Sequence, residues 1–240
     1  MAGLPSGVSS LQCRAISPGS VSFAAGMIWA VPIDAAEDVL SLLAGIEPVD
    51  DLGAEHKAVA LRWLAGTTDI YRRVKPSTPS PHLVSYFLLV DRAAGRVLLC
   101  DHRLAALWLP TGGHVEPGEH PADTVRREVV EELGIEARFD AATGPRPFFL
   151  TVTETVAPIP ARHTDISLWF ALEGNQDQVL HPDPREFKAV RWWSSEELNT
   201  APAAKFEPHL LRALGALKFD RRPGRCPRRL RMSCAGPWAV

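Results

Sequence analysis

The stretch RREVVEELGI, Arg126 to Ile135, carries three carboxylates at spacings that could do chemistry. Read as a helix, it sets Glu128, Glu131 and Glu132 at i, i+3 and i+4, where side chains are neighbours and like charges repel. Either the strip faces water, or something positive sits against it. At 100° per residue the three fall within an arc of roughly 100°. Val125, Val129 and Leu133, at i, i+4 and i+8, form an adjoining apolar stripe that can anchor the helix on a sheet. A carboxylate strip beside a buried stripe lies at the edge of a core. Hard oxygen donors clustered there suit Mg2+ or Mn2+, ions that bridge phosphates. Such ions screen a pyrophosphate, lower the pKa of a bound water and stabilise a leaving phosphate.

The strip belongs to a longer pattern. From Gly113 the sequence runs GHVEPGEHPADTVRREVVEELGI, and it matches the Nudix box, GX5EX7REUXEEXGU with U a bulky aliphatic, at every specified position of residues 113–135. Chance would supply those charges, glycines and aliphatics on the order of once in 10⁹ starting points. A glutamate-rich helix alone is more often a solvated face; the upstream glycine and glutamate argue against that here. The chain thus resembles the Nudix hydrolases over roughly residues 80–220. The resemblance implies an α/β fold, an α/β/α sandwich with a mixed sheet, in which the box forms a loop–helix–loop. It implies metal-dependent cleavage of a nucleoside diphosphate linked to another group. Carried over by position, Glu128, Glu131 and Glu132 are metal ligands, with the Gly112 carbonyl as a further one. Glu119 and Arg127 become a supporting ion pair, and Gly113 and Gly134 serve the loop turns.

The general base varies across the family, and the resemblance leaves it open between Glu128, Glu132 and a glutamate on a late loop. Glu186, in HPDPREFKAVRWW, sits where several members keep a further acid, although a solvated loop residue is the plainer reading. Trp108 and Trp169, with Phe148 or Phe149, could stack a base, and His114 and His163 could touch phosphate. Each aromatic is individually more often core than cleft, and a lone histidine more often structural. LWLPTGGHVEPGE resembles nucleotide-handling members, with threonine where a proline or glycine is usual. HTDISLWF and RWWSSEEL are similar to actinobacterial-type Nudix chains with a helical N-terminal lead. Isopentenyl diphosphate isomerases share the fold, but Cys100 lacks the motif around their catalytic cysteine.

Several elements must position these residues. HLVSYFLLVD (82–91) and RVLLCD (96–101) flank a short AAG hairpin loop, and LWLP (107–110) is a third apolar piece. The helix over 121–133 has Pro121 in its first turn, Asp123 at the positive end of its dipole and Gly134 after its end. PFFLTVTETV (147–156), DISLWFAL (165–172) and FKAVRWW (187–193) read as strands. SSEEL starts a short helix, and 207–218 is an amphipathic closing helix. Ahead of the strands lie two helical patterns, from Asp34 as N-cap and over 54–66, then a proline-punctuated linker, KPSTPSP. The domain reading is a poorly ordered leader (1–33), a helical lead with Pro-rich linker (34–79), the Nudix domain (80–220) and a basic, disordered tail (221–240).

With 240 residues, 46% of them hydrophobic, and a formal net charge of −2, the chain has material for a sizeable core and no charge bias toward nucleic acid or membrane. Its arginines concentrate in RRPGRCPRRLR (221–231). Cys13, Cys100, Cys226 and Cys234 have neither metal-ligand nor disulfide-framework spacing, which reads as reduced thiols in a cytoplasmic protein. VSFAAGMIWAVPI (21–33) is too short to span a bilayer and a poor signal core; Met27 is an alternative natural start. The expectation is a Mg2+- or Mn2+-dependent diphosphohydrolase. A nucleoside triphosphate, including one with an oxidised base, and a nucleotide sugar such as ADP-ribose are both open as substrate. The alternative is a non-catalytic nucleotide-sensing or nucleic-acid-binding protein on the same fold. Such sensors commonly lose box glutamates, and this box keeps all of its own.

Overall fold

A computed structural model describes residues 33–75, 77–155 and 161–219; the leader and the arginine-rich tail expected from the sequence lie outside the described residues. One mixed sheet of seven strands organises the rest. β1 (His82–Asp91) is central. It pairs antiparallel with β2 (Arg96–His102) and β4 (Thr111–His114), and parallel with β6 (Thr164–Glu173). β5 (Phe149–Glu154) lies beyond β6, while β3 (Trp108–Leu109) and β7 (Phe187–Ser194) pair with β2.

Strand alternation sends side chains to two cores. Leu83, Phe87 and Leu89 of β1, with Ile166, Leu168, Phe170 and Leu172 of β6, face α3 (Pro121–Leu133), whose Val125, Val129 and Leu133 are fully buried among them. This is the stripe read from the sequence. Leu88 and Val90, with Trp169 and Ala171, face α4 (Ser195–Thr200) and α5 (Leu210–Ala216). The result is the expected α/β/α sandwich. Ser194 caps α4 through a capping box with Glu197.

The structure departs from the sequence reading in four places. Gly113, which the resemblance gives to a loop turn, lies in strand β4, because pairing of Thr111–His114 with Phe87–Val84 overrides the low strand propensity of glycine. The closing helix is shorter, Leu210–Ala216, preceded by a 3-10 turn at Ala203–Lys205. The first helix, α1 (Ile33–Ala44), already includes Asp34, the residue taken as its N-cap. α2 (Asp51–Gly66) begins earlier than the expected 54 and is capped by Asp50, which accepts the Gly53 N–H and pairs with Arg212 of α5. Val39, Leu43, Ile46, Ala60 and Leu64 of the helical lead join the same core as α3.

Candidate active site

The glutamate strip runs from buried to open around α3, not along it. Glu132 is 5% exposed, Glu128 is largely buried, and the Glu131 side chain is 60% exposed. Glu132 Oε2 accepts the Gly112 N–H from β4 at 3.0 Å, fixing one carboxylate against the sheet. Burial first, then the charges of Glu128 and Glu186, pushes its carboxyl up to about 9. Burial likewise raises Glu128, against the opposing pull of Arg127.

A guanidinium–carboxylate pair holds the opening turn on α3. Glu119 receives Arg127 Nε at 3.0 Å and Nη2 at 2.9 Å, and also accepts Thr124 Oγ1 and the Glu116 N–H. A bidentate guanidinium–carboxylate pair fixes orientation as well as charge. Arg127 also donates to the His114 carbonyl and to Glu128 Oε1 at 2.7 Å, contacts that sequence spacing did not reveal. β4 approaches the strip closely: a Cβ on Gly113 would stand 1.8 Å from Glu128 Oε1. Only a glycine allows that approach.

The late loop is tied to the far end of the same helix. His181 N–H donates to the Leu133 carbonyl and Asp183 N–H to the Glu132 carbonyl, at 2.8 and 2.9 Å. Gly134, left-handed at φ 67°, ends α3, and a Cβ there would lie 2.9 Å from His181 Cβ. So tethered, the loop delivers Glu186 to the strip, where its side chain meets the carboxyl of Glu132. The Glu186 carbonyl is itself held by the Arg103 N–H. Four acids thus converge: Glu128, Glu131, Glu132 and Glu186.

The aromatic candidates part ways. Trp169 is fully buried, its Nε1 bonded to Thr151 Oγ1, and Phe149 is buried against it in the α5-side core. Neither ring can stack a base without unpacking the domain, which corrects the expectation placed on them. Trp108 is half-buried, edge-on to Trp193. His114 faces a histidine cluster rather than the acids. Burial, with Arg72 and two neighbouring imidazoles adding, pushes it down to about 2, so it is neutral. His82 and Asp165 of that cluster were not singled out in the sequence, because the members come from three distant segments.

A family model described as the NUDIX domain matches residues 81–214, more than half the chain. The chain belongs to the Nudix family. It is 32% identical over 135 residues to the CTP pyrophosphohydrolase of Escherichia coli (strain K12), covering 53% of this chain and 87% of that protein. It is 29% identical over 130 residues to the m7GpppN-mRNA hydrolase NUDT17 of Danio rerio, covering 47% and 42% of the two. The chain therefore spans less than half the length of that fish relative. Among solved structures, a Nudix-family hydrolase from Clostridium perfringens aligns with a TM-score of 0.44 at 24% identity, over 58% of this chain and 98% of that one. Among the described residues, no helix is long and apolar enough to cross a membrane.

Proposed function

We propose that this Nudix chain is a divalent-metal-dependent diphosphohydrolase that cleaves a nucleoside diphosphate linked to another group. The observation that carries the reading is the convergence of Glu128, Glu131, Glu132 and Glu186 on one end of β4. A carboxyl pushed up to about 9 by burial, with two neighbouring carboxylates adding, supports a cation site there. Arg127 is committed to Glu119, Glu128 and Glu131, so it does not fill that need at Glu132. Glu128, Glu131 and Glu132, with the Gly112 carbonyl, would hold Mg2+ or Mn2+; their all-oxygen character fits these ions. Bound there, the ion supplies charge neutralisation for the diphosphate and acidification of a water.

The chain's own residues supply the rest. Glu186 reaches Glu132 from a loop outside the helix, which supports it as the group that takes a proton from the attacking water. Glu119 and Arg127 hold the opening turn on α3 and keep Glu128 oriented. Gly113 and Gly134 admit, respectively, β4 and the late loop to the helix. The substrate is a nucleoside triphosphate or a nucleotide sugar of the ADP-ribose kind, and the similarity to a CTP pyrophosphohydrolase supports the former. The same reading places the protein in the cytoplasm, supported by the buried free thiol of Cys100.

The test is a nucleotide-release screen with Mg2+ over nucleoside triphosphates, ADP-ribose, dinucleoside polyphosphates and NADH, with Glu132→Gln run beside the native chain. The expected result is metal-dependent turnover of at least one substrate, lost in the variant. No turnover of any diphosphate, or turnover indifferent to Glu132, would refute the reading.

A further inference from the structure

On the other side of the sheet from α3, where β1, β4 and β6 come together, a second polar cluster is buried. Each of its members stands at or beside a strand end: His82 opens β1, His114 closes β4, and His163 and Asp165 flank the first residue of β6. Asp165 lies beside His82 in register, and His114 is paired with Val84. By strand alternation these side chains share the face opposite Ser85 and Gly113, the residues that meet α3. One ligand-capable atom from each of the four lies within 4.8 Å of every other.

The two distances from Asp165 to its imidazole neighbours are those of a coordination polyhedron. Asp165 Oδ1 is 3.2 Å from His82 Nε2 and 3.3 Å from His163 Nε2. A tetrahedral zinc with bonds of about 2.0–2.1 Å sets its ligand atoms about 3.3 Å apart. Yet Asp165 Oδ1 and the Nε2 atoms of His82, His114 and His163 are all buried without a hydrogen-bond partner. Four orphaned polar atoms aimed at one another are costly unless something satisfies them together.

The outer hydrogen bonds decide what that is. His82 Nδ1 lies 2.5 Å from the Pro79 carbonyl, and His163 Nδ1 lies 2.8 Å from the Ala161 carbonyl. A carbonyl only accepts, so both Nδ1 atoms carry a proton, which leaves Nε2 of each ring as the atom free to ligate. Their lone pairs face a carboxylate oxygen, an arrangement that repels unless a cation lies between. A backbone carbonyl behind each imidazole is the usual support of a metal-bound histidine. His82 and His163 are stacked with centroids 4.8 Å apart, which sets their inward nitrogens side by side. Asp165 in the middle excludes an anion.

We propose that His82, His114, His163 and Asp165 form a second metal site of the zinc type, distinct from the glutamate strip. Three imidazoles and one carboxylate suit Zn2+ and other late first-row dications over Mg2+. Four protein ligands make the site closed and structural rather than catalytic. It clasps β1, β4 and β6 below the box, and through His114 it holds the residue that follows Gly113 and whose carbonyl Arg127 engages.

The test uses the full chain and does not depend on turnover. Native protein freed of metal with a chelator is titrated with Zn2+ alone, then with Co2+ alone. One equivalent of Zn2+ should bind and raise the melting temperature, and Co2+ should give the intense visible bands of a tetrahedral site. His163→Gln, at the rim of the cluster, and Asp165→Asn should each weaken Zn2+ binding by about 100-fold or more. Glu131→Gln should retain the full equivalent. Absence of Zn2+ binding to the native chain would overturn the proposal even if neither variant folds. So would zinc binding that survives His163→Gln and Asp165→Asn but disappears with Glu131→Gln.

Discussion

Replacing Glu132 by glutamine should make the metal-free protein more stable while abolishing its chemistry. The wild-type carboxyl is pushed up to about 9 in the fold, from 4.5 in the unfolded chain, chiefly by burial. Between those values the unfolded state releases its proton while the native state keeps it. Stability therefore falls as pH rises through this window, by up to about 1.4 kcal/mol per pH unit from this one group. Below about 4.5 both states are protonated and the group contributes nothing to the slope. Glutamine has the same shape, can still accept the Gly112 N–H, and does not titrate. The difference in unfolding free energy between variant and wild type should widen by roughly 3 kcal/mol from pH 6 to pH 8. Urea denaturation in a chelator, at several pH values, measures it directly. Adding Mg2+ should flatten the wild-type slope, because ion binding expels the proton that burial retains. Two parallel pH profiles, one for each protein, would refute both the raised proton affinity and the cation site inferred from it.

Other perturbations separate geometry from charge. Gly113→Ala forces its Cβ against Glu128 Oε1, which can swing aside only by leaving Arg127; activity should fall about 100-fold or more while urea unfolding shifts by roughly 1–2 kcal/mol. Arg127→Ala strands the partly buried Glu119 and should cost roughly 1–3 kcal/mol, measured by thermal unfolding, with kcat falling as well. Glu207, buried beside α5, is pushed up to about 7 by burial despite the His209 N–H. Its penalty is absent below about pH 4.5 and complete above about 7, so Glu207→Gln should stabilise the fold at pH 8.5 by up to roughly 3 kcal/mol and much less at pH 5. Urea titrations at the two pH values test that sign.

The helix of the box, its apolar stripe and its brace were legible because each rests on spacing within one local segment. Val125, Val129 and Leu133 followed from helical period, and Glu119 with Arg127 from the motif. The arrival of Glu186 beside Glu132 could be suspected from the sequence but needed the tethers at Leu133 and Glu132, which are backbone contacts and leave no side-chain signature. The resemblance puts Gly113 in a loop turn, whereas pairing along β1 imposes a strand. Trp169 and Phe149 carry the composition of a stacking site, but strand parity sends both into the α5-side core. His82, His114 and His163 lie in separate segments, so only the closing of the sheet brings them together.

The tether of the late loop has an evolutionary corollary. Because His181 and Asp183 bind the end of α3 through their amides, almost any residue other than proline could occupy those positions and preserve the two bonds. Length is another matter: adding or deleting one residue between Asp183 and Glu186 would turn the acid away from the strip. Among descendants of this chain, substitutions in the segment should drift freely while gaps are purged, so the spacing is inherited more faithfully than the letters.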